Sequence, residues 1–169
     1  MKKDKFELIN QKLQNIKLLA FDSDGVLTDG GVYFLGNGEE LRRFDIKDGM
    51  GLAQCLKVGY QVAIISGSAS KPVLYRANTL NIKHVFLGVV DKLSCLQTLC
   101  NDEKIKLKNV LYMGDDLSDI AVMNSVGLAC APADAVKEVI AIADFVCQRT
   151  GGQGAVREIC DKLLCFHKE

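Results

Sequence analysis

An α/β domain on a doubly wound parallel sheet is the fold this sequence predicts, and three observations predict it. Short β-rich apolar runs alternate with segments of helical length along most of the chain. The runs are apolar throughout rather than at every second residue, so both faces of each strand are covered. Only two prolines, Pro72 and Pro132, occur, and no repeat, low-complexity tract or linker breaks the alternation. Residues 1–169 therefore read as one domain.

The first strand is read at 18–21 (Leu-Leu-Ala-Phe), the second at 61–65 and the third at 84–87. The fourth is read at 110–113, with shorter candidates at 127–131 and 145–147. Helical segments are expected at about 49–58, 70–81, 91–102, 117–125, 134–143 and 154–166. One stretch departs from the alternation. Residues 32–35 and 41–46 flank Gly36-Asn37-Gly38, a glycine-rich turn, and predict a β-hairpin insertion over about 31–47. A lone two-stranded ribbon is marginal in water, so the hairpin is expected to pack against something, plausibly the same hairpin of another subunit. A glycine-rich tail and last helix occupy about 150–166.

The composition excludes several classes. Lys plus Arg and Asp plus Glu are 21 each, so the formal net charge is zero, against a general nucleic-acid surface. The charged N-terminus has no following apolar stretch of signal length, and runs such as 139–143 are too short to span a bilayer. The chain thus reads as soluble and cytoplasmic, with no nucleic-acid or membrane partner. Seven cysteines, no Cys-x-x-Cys and only two histidines speak against zinc and for free thiols in a reducing compartment.

In open α/β sheets ligands bind outside the carboxyl ends of the strands. The first strand is followed by Asp22-Ser-Asp24-Gly-Val-Leu-Thr, the second by Ser66-Gly67-Ser68, the third within a few residues by Asp91-Lys92, and the fourth by Gly114-Asp115-Asp116-Leu-Ser-Asp119. Each piece alone has a duller use: a turn, a helix cap, a solvated lysine. Together they bring Asp22, Asp24 and Asp115 to one rim, where crowded negative charge calls for a hard divalent cation such as Mg²⁺. Lys92 adds a second cation and Ser66 a hydroxyl donor, the requirements of a phosphoryl site.

Asp22-x-Asp24-Gly-Val-Leu-Thr, Ser66-Gly67, Lys92 and Gly114-Asp115-Asp116-x-x-Asp119 resemble the four motifs of the haloacid dehalogenase superfamily, over nearly the whole chain from Leu18 to about Leu164. The resemblance implies a Rossmann-like fold and these roles. Asp22 is the nucleophile that forms an aspartyl-phosphate. Asp24 is the general acid and then the general base. Asp22, Asp24 (through its backbone carbonyl) and Asp115 ligate Mg²⁺. Ser66 and Lys92 hold the phosphoryl group. Asp116 and Asp119 lie at or just behind the metal, orienting its ligands. Neither gap between motifs has room for a cap domain, so a neighbouring subunit is expected to cover the site.

Gly36-Asn-Gly-Glu-Glu-Leu, Asp45-Ile-Lys-Asp48-Gly49 and Thr150-Gly-Gly-Gln-Gly-Ala-Val-Arg157 further resemble the 3-deoxy-D-manno-octulosonate (KDO) 8-phosphate phosphatases. That resemblance implies a sugar-acid phosphate substrate, a place in lipopolysaccharide precursor synthesis, a homotetramer joined by the hairpins, and a glycine-rich tail reaching a neighbour's site. Gly151 and Gly152 would then approach ligand closely. Arg157 would either bind a substrate carboxylate or make a helix salt bridge. Ser68 stands where these enzymes typically carry Arg. Enzymes acting on 2-keto-3-deoxynononate 9-phosphate carry Glu there, and Gly88 to Ser94 looks more like theirs. Arg76 is a candidate replacement charge facing the sugar. A phosphoacceptor signalling domain fits less well, because Asp24 favours turnover. So does an inactive assembly domain, because every key aspartate is present.

Overall fold

The computed structural model describes residues 2–167. Its elements are α1 (Lys2–Gln14), β1 (Leu18–Phe21), β2 (Tyr33–Phe34), β3 (Glu40–Leu41), α2 (Ile46–Lys57), β4 (Gln61–Ile65), α3 (Lys71–Thr79), β5 (His84–Phe86), α4 (Lys92–Asp102), β6 (Val110–Met113), α5 (Ile120–Met123), β7 (Leu128–Ala131), α6 (Lys137–Ile142), β8 (Phe145–Val146) and α7 (Ala155–Leu164). Among the described residues, six strands form one sheet in the order β5-β4-β1-β6-β7-β8, and every pairing in it is parallel.

The sheet is doubly wound because its strands alternate between two cores. Leu19 and Phe21, Val62 and Ile64, Leu111 and Met113, and Leu128 and Cys130 face one layer, with α1, α2, α3 and α7. Leu18 and Ala20, Ala63 and Ile65, Val110 and Tyr112, and Ala129 and Ala131 face the other, with α4, α5 and α6. Period-two alternation with apolar residues on both sides is what a fully covered parallel sheet requires. On the first side α2 crosses α7 closely where Gly51 faces Cys160. The carboxylate of Asp48 on α2 accepts from the backbone N–H groups of Gly154 (3.3 Å) and Arg157 (2.7 Å). It thereby caps an α7 whose own N-cap residue, Gly154, supplies no side chain.

β1 lies between β4 and β6, with Phe21 level with Ile64 and Met113. The chain winds outward from β1 to β4 and β5 and then returns to β6 on the other flank. The reversal falls between β1 and β6, and that switch point is where such sheets bind ligands.

Three expectations need amending. The N-terminal segment forms α1, which the sequence reading left unassigned. Ile9 and Leu13 carry its apolar stripe, diluted among charges; Leu13 is buried, as is Ile16 just beyond the helix. The hairpin's ladder is short: among the described residues it pairs Tyr33 with Leu41 and Phe34 with Glu40, with an isolated bridge from Thr28 to Phe44. The helix expected at 117–125 is a single 3₁₀ turn (Leu117–Asp119) followed by the four-residue α5.

Candidate active site

The site is assembled at the carboxyl ends of β1, β4 and β6 and the first turn of α4. The backbone N–H of Asp22 bonds to the Met113 carbonyl at 3.0 Å, extending the β1–β6 ladder by one residue. This sets Asp22 beside Gly114 and Asp115. The loop then tightens: the N–H groups of Leu27 and Thr28 both return to the Ser23 carbonyl, at 2.9 and 3.0 Å. Gly25 sits in this loop with φ +77, and a β-carbon there would strike the carboxylate of Asp115. Glycine is thus required twice over, by conformation and by space.

Lys92, the first residue of α4, is 5% exposed, and Asp119 is 0% exposed. The Lys92 Nζ lies 2.7 Å from Asp22 Oδ2 and 2.8 Å from Asp119 Oδ1. Asp119 is saturated. Its Oδ1 also accepts from the Tyr112 hydroxyl at 2.7 Å, and its Oδ2 accepts from the N–H groups of Asp115 (3.0 Å) and Asp116 (3.3 Å). It therefore orients Lys92 and the Gly114–Asp116 turn rather than offering a lone pair to a ligand. Asp22 Oδ1 accepts from the Ser23 N–H at 2.6 Å. Ser66, buried, shares a 2.7 Å hydrogen bond with the Ser23 hydroxyl, and its Oγ accepts from the Ser68 N–H at 3.1 Å.

The electrostatics follow from this crowding. Burial, then the nearby Asp119, pushes Asp22 up to about 6 although Lys92 opposes the shift. Burial, with Asp22 and Asp119 adding, pushes Asp115 up to about 7. Burial alone would lower the pKa of Lys92, but the carboxylates of Asp22 and Asp119 outweigh it and the value is raised. Two carboxylates, one buried and one half-buried, raised together are a centre of uncompensated negative charge.

The residues fit a hard divalent cation. Oxygens of Asp22, Asp115 and Asp119 lie within 4.8 Å of one another. Asp115 Oδ1 is buried and has no hydrogen-bond partner among the described residues. With Asp119 saturated, Asp22 and Asp115 are the carboxylates free to ligate, with Asp24 two residues on. One or two carboxylates completed by water and phosphate oxygens suit Mg²⁺.

Other expected site residues lie elsewhere. Asp116 is exposed, and its Oδ1 accepts from the Leu117 N–H at 2.7 Å, so it caps the turn that follows Asp115. Arg76 points to the start of α2: its Nη2 is 3.5 Å from the Asp45 carbonyl and would collide with a side chain at Gly49. Its charge serves that packing and not the rim. Arg157 makes the helix salt bridge, 2.7 Å from Nε to Asp161 Oδ1. Gly151 and Gly152 are pressed against this chain's own Gly25–Asp29 loop. A β-carbon on Gly151 would strike the Gly25 carbonyl, and the Gly152 N–H donates to the Val26 carbonyl at 2.9 Å. The glycine-rich segment packs closely against the nucleophile loop, and the missing β-carbons make that approach possible. Ser68 stays at the rim through its bond to Ser66.

Sequence reasoning missed Ser23, Tyr112 and Arg42. Arg42 Nε lies 2.9 Å from Asp24 Oδ1 and its Nη2 lies 3.4 Å from Glu40 Oε2. Nothing in the spacing of the hairpin residues signals that arginine.

Comparison with known proteins agrees with the geometry. The haloacid dehalogenase-like hydrolase family model matches residues 61–159. The 3-deoxy-D-manno-octulosonate 8-phosphate phosphatase KdsC of Escherichia coli (strain K12) is 47% identical over 153 residues, covering 90% of this chain and 81% of that protein. The crystal structure of the 3-deoxy-D-manno-octulosonate 8-phosphate phosphatase from Yersinia pestis superposes with a TM-score of 0.92 at 42% identity, covering 94% of this chain and 86% of that one. The Moraxella catarrhalis 3-deoxy-D-manno-octulosonate 8-phosphate phosphatase, solved in complex with a magnesium ion, a phosphate ion and KDO, gives 0.91 at 38% identity, covering 93% and 90%. Fold and site together define an enzyme of phosphomonoester hydrolysis. The chain belongs to the haloacid dehalogenase-like hydrolases, and within them to the family of these octulosonate phosphatases.

Proposed function

We propose that this enzyme is a magnesium-dependent phosphatase that hydrolyses 3-deoxy-D-manno-octulosonate 8-phosphate to the free sugar acid and phosphate. The observation that carries the chemistry is the buried Asp22–Lys92–Asp119 arrangement beside the unpaired oxygen of Asp115. The substrate is supported by the 47% identical relative and by the neighbour solved with magnesium, phosphate and KDO.

Asp22, Asp115 and the backbone carbonyl of Asp24 would hold Mg²⁺, which when bound offsets their charge and that of the phosphoryl oxygens. Asp22, with a pKa of about 6, is a carboxylate at neutral pH and attacks phosphorus. As the bond from phosphorus to the sugar oxygen breaks, Asp24 gives that oxygen a proton. Asp24 then takes a proton from the water that attacks the aspartyl-phosphate, so that phosphate leaves and both carboxyl groups return to their starting states. Lys92, pinned by Asp119, neutralises charge on the transferring group, and Ser66 donates to it.

Self-association through the hairpin is part of this reading. Its support is the run Tyr33, Phe34, Leu35 and Leu41, all exposed on the ribbon, with Phe34 at 71%. A homotetramer would cover these side chains and the capless mouth of the site. A reducing, cytoplasmic setting is supported by seven cysteines that are all free thiols.

The test is phosphate release from a panel of sugar phosphates with Mg²⁺ and with EDTA. Strong metal-dependent preference for the eight-carbon acid phosphate is the expected result. Preference for 2-keto-3-deoxynononate 9-phosphate would overturn the substrate and make Ser68 its marker. No release from any ester would overturn the activity.

A further inference from the structure

Arg42 is an unusual residue for a surface hairpin. Its side chain is only 5% exposed, whereas that of its neighbour Arg43 is 52% exposed. Burying a guanidinium is costly unless its donors are paired, and an exposed ribbon gains nothing from one. The pairing explains the placement. Nε is 2.9 Å from Asp24 Oδ1, and Nη2 is 3.4 Å from Glu40 Oε2 on β3. The third nitrogen, Nη1, is buried with no hydrogen-bond partner among the described residues. An arginine placed for packing would turn to satisfy all its donors. This one is turned to face Asp24 and leaves a donor unsatisfied in doing so.

Asp24 needs such a partner. It stands on a loop, next to a glycine in the left-handed region, and its side chain is about a third exposed. Its backbone is fixed by the loop bonds around Ser23, and among the described residues Arg42 is the side chain that holds its carboxylate. Proton transfer to a leaving oxygen demands a carboxyl group held within hydrogen-bond reach, and small misplacements are expensive. A planar guanidinium bonded to Oδ1 restricts the rotation of the carboxylate and leaves Oδ2 for the reaction.

We propose that Arg42, clamped by Glu40, is the positioning residue of the general acid–base Asp24, so that the hairpin contributes to catalysis as well as to assembly. This rests on the phosphatase reading above and on the role of Asp24 in it. The sugar does not enter.

The test uses two aryl esters that differ in how much protonation the leaving group needs. p-Nitrophenolate leaves unaided, whereas phenolate needs more help. For Asp24→Asn, the loss in kcat/KM is expected to be about tenfold greater on phenyl phosphate than on p-nitrophenyl phosphate, a part of a general acid's full contribution. Arg42→Gln should show the same bias at smaller amplitude, about threefold, and Arg42→Lys should recover part of it. Thermal melts of each variant check folding. Should Arg42→Gln fail to fold, Arg42→Lys and Glu40→Gln report the same ratio. Equal losses on both esters for the Arg42 variants, with Asp24→Asn biased, overturn the positioning role alone. Equal losses for Asp24→Asn overturn the general-acid reading and this inference together.

Discussion

The two ends of the sheet handle charge in opposite ways. At the carboxyl ends of the strands, Asp22, Lys92 and Asp119 are buried and meet at 2.7 and 2.8 Å. At the amino ends lies a cleft of about 680 Å³ bordered by Lys17, Tyr60, Gln61, Glu103 and Lys104. There Glu103 lies 3.5 Å from His84 and accepts from the Gln61 side chain at 2.9 Å, and the groups are about a quarter to a third exposed. That roomy cleft has the weaker chemistry. Parallel strands bring every carboxyl end, and the N-terminal turn of α4, to the same rim. The loops there are free to carry catalytic groups, while water screens the pairs at the other end.

Four substitutions or conditions sharpen this contrast. Asp22→Asn is the most severe. It is expected to lower turnover on the order of 10⁴-fold or more with the fold intact, whereas Glu103→Gln should change it by less than about twofold. Comparable losses from the two would erase the distinction. Lys92→Met removes the cation that bridges Asp22 and Asp119. Chemical denaturation should record a loss of about 3–5 kcal/mol, together with loss of activity, against about 0.5 kcal/mol or less for Glu103→Gln.

Magnesium and pH come next. Without divalent cation, Asp22 at about 6 and Asp115 at about 7 keep protons that the unfolded chain has released above 3.8. The unfolded state then binds fewer protons, so the metal-free fold loses stability as pH rises from about 4 to about 7. Mg²⁺ needs both groups ionised, so it should raise the melting temperature by roughly 5 °C near pH 8 and by clearly less near pH 5.5. An identical gain at both would argue that these carboxylates do not hold the ion. The smallest effect belongs to Tyr112→Phe. Losing the hydroxyl that bonds to Asp119 at 2.7 Å should cost about 1.5 kcal/mol and slow turnover severalfold through a loosened Lys92.

Much of the rim was legible because the relevant signals are local. A strand of apolar residues followed by Asp22-x-Asp24-Gly, or by Gly114-Asp115-Asp116, states its own position at a strand end. The residues that failed were those whose partner lies far away in sequence. Arg76 has Asp45 and Gly49 as its neighbours, and Gly151 and Gly152 have the Gly25–Asp29 loop as theirs. No spacing rule reveals those contacts. Arg42 was invisible for the same reason, since its role depends on the hairpin folding back onto Asp24, 18 positions earlier. The helix α1 escaped notice because its apolar anchors Ile9 and Leu13 sit among charges, and their burial depends on the sheet they meet.

The central claim is that phosphate passes through the side chain of Asp22, and the most direct measurement is an acid quench during turnover of radiolabelled sugar-acid phosphate. Label retained on the denatured chain, released by hydroxylamine, mapping to the peptide that contains Asp22 and absent from Asp22→Asn is the predicted result. Full-speed phosphate release with no label on the chain, or label on another residue, would contradict it.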